Sequence, residues 1–154
     1  METAPPPQDP FLALQALRDQ EDLGRLVLFH KILGWLLCVG SCIGLPHFGI
    51  GIFMMTGAIP ITDSKSGKPD PGMNFMGPMF AFIGLAVILF ILTGSFLNFR
   101  AARWVGERSK LTPLYVISAL NLLFQPIGLA LGVYSFVVLS RNSVKALFDV
   151  PPTG

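Results

Sequence analysis

Apolar residues fill three long stretches of this chain, and the charged residues stand between them. No Asp, Glu, Lys or Arg occurs from 32 to 62, from 71 to 99 or from 111 to 140. A charge-free apolar run of at least about 18 residues is a candidate membrane span. The pattern therefore predicts three spans, at about 26–56, 78–99 and 111–140. The third run holds 30 residues, which as one helix would extend about 45 Å against a hydrocarbon core of roughly 30 Å. It must tilt or bend. Pro126 supplies the place, because it cannot donate to the carbonyl four residues back and its ring crowds that turn. The alternative is a hairpin re-entering at Pro126, with arms too short to cross singly. Pro46 predicts a similar kink near the middle of the first span.

The segments between the spans are polar. Residues 1–10 begin as a proline-rich flexible tail, and Asp9 followed by Pro10 is a helix start, the carboxylate capping free N–H groups. From 11 to 25, Phe11, Leu12, Leu14, Leu17 and Leu23 mix with Arg18, Asp19, Glu21, Asp22 and Arg25. That is an amphipathic helix, lying at the membrane surface or packing on its own bundle. Residues 58–74 are rich in Gly and Pro and read as a loop. After the third span, 140–148 forms a short interfacial helix with Val144, Leu147 and Phe148 inward and Arg141 and Lys145 outward, and 149–154 is a frayed tail. The fold class is an all-α integral membrane bundle of three transmembrane helices within 26–148, flanked by these two helices.

Composition sharpens the picture. With 52% hydrophobic and 13% charged residues the chain belongs to the membrane class. A formal charge of +2 is too small to point to nucleic acid. The expected partners are the lipid bilayer and a membrane protein or a second copy of the chain. The amino end and the second connector hold seven of the 11 Lys and Arg, which places the amino end in the cytoplasm. Arg141 and Lys145 are then an exception, which the hairpin alternative would remove. No basic region precedes an early apolar core, so the first span, rather than a cleavable signal peptide, targets the chain.

Within the spans the informative residues are small or polar. Gly40 and Gly44, and Gly128 and Gly132, repeat the G-x-x-x-G spacing at which a second backbone can approach. Gly49, Gly51, Gly84, Gly94 and Ser95 offer further close contacts. Asn121 and Gln125, one turn apart, put two amides on one face, which must find partners away from lipid. His47 follows Pro46 and can bond a carbonyl that the proline leaves free, whereas His30 beside Lys31 reads as interfacial. Cys38 and Cys42, four apart on one helix face, read as small packing residues.

The carboxyl part, NLLFQPIGLALGVYSFVVLSRNSVKALF, resembles the ending of a group of small, uncharacterised bacterial multi-pass membrane proteins. Those end in a proline, a glycine, L-G-V or L-G-I, a β-branched and aromatic run, then V-L and S-V-K-A-L-F. The likeness extends to LFHKILGWL, to PHFGIG and to the basic connector after the second span. It implies a compact helical module in a bacterial inner membrane. It carries over no catalytic or ligand-binding residue.

Candidate chemistry is sparse. The spans hold no carboxylate, and Ser41 and His47, six apart on one helix, point to different faces, so enzymatic activity and catalytic residues are not expected. His30 or His47 could ligate a haem or a chlorophyll. Seventeen residues apart, they stand about 25 Å apart on a straight helix and cannot serve one tetrapyrrole. Met73, Met76 and Met79, with Met54 and Met55, have the soft thioethers that suit Cu(I), but flexible packing near the membrane surface explains them as well. No cofactor is assigned. The expected role is structural or accessory, by packing in a larger membrane complex or by self-association. The rivals are a small oligomeric transporter or channel lined by Asn121, Gln125, His47 or the methionines, and a haem or pigment subunit using His47.

Overall fold

The computed structural model describes residues 9–58 and 73–148. The expected amino-terminal tail up to residue 8, the loop over 59–72 and the carboxyl end 149–154 lie outside the described residues. Among the described residues every regular element is helical: α1 Pro10–Gly40, a 3-10 turn at Ser41–Ile43, α2 Gly44–Met55, α3 Met73–Gly106, α4 Leu111–Asn121, α5 Ile127–Leu139 and α6 Asn142–Phe148. The stretch Pro10–Met55 and α3 from Phe75 onward are each long and apolar enough to cross a membrane. A third stretch reaches that length only if α5 and α6 are joined across an 85° bend.

The boundaries differ from those expected, for local reasons. The amphipathic segment and the first span are not separate: α1 runs unbroken through both, since 11–25 holds no proline or turn signal and only one glycine, Gly24. The α-helix is interrupted not at Pro46 but by the 3-10 turn just before it, and Pro46 falls in the first turn of α2, where a missing N–H costs least. Helix α2 stops in a Schellman arrangement with Gly57 left-handed at φ 72°, Gly57 N–H bonding Met54 O and Ala58 N–H bonding Phe53 O. Helix α3 extends past both expected ends, from Met73 to Gly106. It closes in the same way, but with Arg108 at φ 50° in the left-handed position that glycine usually fills.

The contacts divide the chain into two units, one comprising Gly34–Phe96 and the other Met1–Leu33 with Leu97–Gly154. In the first, α2 and α3 run antiparallel at a seam of small residues. A Cβ on Gly44 would stand 2.6 Å from Ile88 Cγ1 and 2.8 Å from the Gly84 carbonyl oxygen. One on Gly51 would land on the Ala81 backbone, and one on Gly84 on the Phe48 backbone. Ser95 Oγ adds a buried hydrogen bond to Gly34 O at 2.7 Å. The spacing in use is seven, Gly44 to Gly51, and not the expected four: Gly40 and Gly49 have nothing within 4 Å of a built Cβ. The 3-10 turn explains Gly40, because three residues at about 120° each instead of 100° rotate the face it occupies away from that of Gly44.

In the second unit the run 111–140, expected as one kinked helix, is a hairpin. Helix α4 ends at Asn121, a turn follows through Pro126, and α5 comes back antiparallel. Gly132 lies so close to α4 that a Cβ would stand 2.6 Å from Ser118 O, and a Cβ on Gly128 would meet Asn121 O. At the mouth the Tyr115 hydroxyl donates to Leu139 O at 2.6 Å, and the Tyr115 and Phe136 rings stand 5.8 Å apart. The physical reason is that the two glycines accept the preceding turns of their own run as the second backbone. At 11 and 13 residues the arms are only about 16 and 20 Å long, and neither crosses roughly 30 Å of hydrocarbon.

The seam makes a direct prediction. Gly51→Leu is expected to lower the stability of the detergent-solubilised protein by about 1–3 kcal/mol through overpacking, and Gly49→Leu to change it little. Thermal unfolding of the two variants in parallel checks this, and equal effects would remove the seam's special standing.

Candidate functional site

The buried face of α1 in the second unit is polar. Asp19, Asp22, Leu26, His30 and Leu33 recur at the helical spacing and are all buried, while Leu28, Phe29 and Ile32 on other faces are exposed. That is the reverse of a water-soluble helix. The inward polar residues fall into two groups about 12 Å apart along the helix, from Asp22 to His30.

The first group joins α1 to the end of the hairpin. Arg141, between α5 and α6, donates from Nη1 to Asp22 Oδ2 at 2.7 Å and to Asp19 Oδ1 at 3.2 Å. The Tyr134 hydroxyl donates to Asp22 Oδ1 at 3.0 Å. Arg141 therefore points inward, not outward as the short carboxyl helix suggested, since the bend between α5 and α6 turns its side chain to the two carboxylates. Val144 is inward as expected, with no exposed surface. Burial by itself would raise the Asp22 carboxyl, but the hydrogen bonds from Arg141 and Tyr134 and the charges of Arg141 and Arg25 outweigh it and hold the group below the ordinary carboxylate range. Arg141 is in turn held more firmly protonated, first by its bond to Asp22.

The second group joins α1, α3 and α4. His30 Nδ1 stands 2.9 Å from Asn98 Oδ1, within hydrogen-bond distance. Asn98 Nδ2 donates to Asn121 Oδ1 at 2.9 Å, and Asn121 Nδ2 donates back to Asn98 Oδ1 at 3.0 Å. All three side chains are about 1% exposed. The two amides thus form a reciprocal pair, and the imidazole adds a third hydrogen bond to the same oxygen.

The residues singled out from sequence separate into those this network includes and those it does not. Asn121 belongs to it. Gln125 does not: α4 ends at Asn121, so Gln125 sits exposed in the turn before Pro126 and the two amides no longer share a helix face. His47 is exposed on α2, its ring stacked near Phe80 at a centroid distance of 6.4 Å, whereas His30, expected at an interface, is the buried histidine. Met76 and Met79 are exposed on the first turns of α3, and the side chain of Met73 lies outside the described residues. Cys38 is half-buried and Cys42 exposed, neither in a disulfide. Among the described residues no group of three His, Cys, Asp or Glu side chains converges.

Sequence reasoning overlooked Asn98, Tyr134 and the pairing of Asp19 and Asp22 with Arg141. Asn98 had a signal, being an amide at the end of a charge-free run two residues before Arg100. The ion cluster had none beyond two acids three apart on α1. The arrangement can fix helix positions. Comparison with protein-family models, with curated proteins and with solved structures finds no match for the chain.

Two measurements test these groups. Asn121→Leu should cost about 1–3 kcal/mol, because it removes both hydrogen bonds between the two amides, and Asn98→Leu with Asn121→Leu should recover part of that loss. Chemical unfolding of the two single variants and the double reads the coupling; strict additivity would dissolve the pair. For Asp22 the folded value lies below the unfolded one, so the carboxylate adds stability above about pH 4 and loses it as pH falls through the folded value. A pH series of melting temperatures should show the loss in the native protein and a much smaller one in Arg141→Gln.

Proposed function

We propose that this chain is an integral membrane module of structural or accessory type, crossing the bilayer twice, through about 26–55 and 75–99, with the α4–α5 hairpin entering and leaving on one side. What supports it is the inversion of polarity. Polar Asp22, His30, Asn98, Asn121 and Arg141 are spent on one another inside, while Trp35, Val39, Phe82, Phe90 and Phe96 lie exposed on the long apolar helices. Water penalises that surface and hydrocarbon does not. The α1–α2 stretch would extend about 69 Å as a straight helix, of which 26–55 takes about 45 Å, so the crossing tilts or bends, and the charged turns from Arg18 to Arg25 stay outside the hydrocarbon.

With two crossings the amino end, the connector after α3 and the carboxyl tail share one face and carry all the lysines and arginines except Lys65 and Lys68. That face is the cytoplasmic one, and the exception of Arg141 and Lys145 disappears. The likeness to small bacterial multi-pass proteins agrees with a bacterial inner membrane. The role is to present a preformed helical surface to a membrane-protein partner or to further copies, because the buried amides and ions are already paired within the chain.

Single cysteines at Thr3, Ser66 and Thr153, in a background with Cys38 and Cys42 replaced by Ala, test the topology with a membrane-impermeant maleimide on intact cells. Ser66→Cys should react and the other two should not; reaction at only one chain end would restore three crossings. Native mass in mild detergent tests the role, and a chain found alone as a monomer would contradict it.

A further inference from the structure

One groove of the second unit meets the two polar groups only through Tyr134. It lies between α1 and α5, has a volume of about 290 Å³ and is lined by Phe29, Ile32, Ile127, Ala130, Leu131 and Tyr134. Five of these are wholly apolar, and the Phe29 and Tyr134 rings meet edge to face at 6.0 Å. The sixth, Tyr134, gives the groove a polar end, since its hydroxyl is bonded to Asp22. Arg25 lies on the same stripe of α1 as Phe29 and Ile32, one turn before Phe29. It is paired at 2.6 Å with Glu21, and both side chains are more than half exposed. An exposed pair of this kind contributes little to stability and exchanges partners readily.

The groove is thus an apolar slot ending at one accessible cation and one accessible anion. The charges around that end balance: Arg18, Arg25 and Arg141 against Asp19, Glu21 and Asp22. A net-anionic head group would disturb this balance. A head group carrying both signs would preserve it, its phosphate replacing Glu21 on Arg25 and its ammonium replacing Arg25 on Glu21.

We propose that the α1–α5 groove binds a phospholipid whose head carries a primary ammonium, with an acyl chain along Phe29, Ile32, Ile127 and Ala130, phosphate on Arg25 and ammonium on Glu21. This rests on the membrane reading above. A quaternary ammonium lacks N–H donors and cannot form the bond to Glu21, so a choline head group is discriminated against. The slot supplies hold on the chain, and the exchanged ion pair supplies choice of head.

The test uses the full chain in mild detergent with equal amounts of phosphatidylethanolamine, phosphatidylglycerol and phosphatidylcholine of identical acyl chains, and native mass spectrometry to count retained lipid. Phosphatidylethanolamine should be retained in preference to the other two. Glu21→Gln should lower its retention about tenfold and leave phosphatidylglycerol unchanged. Arg25→Gln should weaken retention of all three lipids, since each carries the phosphate, with Arg25→Lys restoring it, and Ala130→Phe should fill the slot and abolish retention. All three positions are exposed, and an unchanged melting temperature establishes that each variant folds. Equal retention of the three lipids, preference for phosphatidylglycerol, or full retention by Ala130→Phe would overturn the proposal. Those outcomes leave the crossing pattern intact, which the cysteine labelling decides separately.

Discussion

The pair of amides formed by Asn98 and Asn121, with His30 on the shared oxygen, is the constraint on which the second unit depends. A primary amide excluded from water has four hydrogen-bonding valences to place, and a neighbouring apolar chain can satisfy none of them. Facing amides solve the problem for each other only in one relative placement. Helix α4 must therefore meet α3 at that depth and rotation, with α1 presenting Nδ1 from a third direction. Individually such bonds within a membrane average well under 1 kcal/mol. Their influence lies in what the wrong arrangement would leave unpaired.

Where side chains do not dictate position, their absence does. The α2–α3 seam and the α4–α5 hairpin both rely on glycine to bring backbones together, but on different scales of sequence. In the hairpin, Gly128 and Gly132 approach carbonyls of the helix immediately before them; in the seam, Gly44, Gly51 and Gly84 interleave with Phe48, Ala81 and Ile88. Packing of this kind lets dispersion act over many atom pairs at short range, the main attraction between helices when the solvent is as apolar as they are.

The existence and rough extent of the long apolar helices were legible from hydropathy, because burial in lipid demands an unbroken run and the charged residues mark where it stops. The reversal at Pro126 was legible only as the alternative to a kinked span. A proline tells that a helix is disturbed, and it is the pairing of Gly128 with Asn121 O, a contact within the same run, that makes the disturbance a fold-back. G-x-x-x-G at Gly40 and Gly44 misled because the 3-10 turn between them changes the phase. Burial of the two histidines came out opposite to their neighbours' suggestion: Lys31 marks the surface, but His30 turns the other way, to an asparagine 68 positions later. Likewise Arg141 lies in a segment whose local pattern points it outward, and its carboxylates stand more than a hundred positions earlier.

That difference in separation orders events during synthesis. Contacts closing the α4–α5 hairpin join residues at most 24 positions apart, as from Tyr115 to Leu139. The Arg141 cluster instead spans 119 and 122 positions to Asp22 and Asp19. Closing a short loop forfeits less chain entropy than closing a long one, so the hairpin can assemble as soon as its thirty residues leave the ribosome. Arg141 emerges only after the hairpin is complete. Until it docks, Asp19 and Asp22, made with the first helix, lack the guanidinium that joins them, and the nascent protein carries a half-built ion cluster that marks it as unfinished.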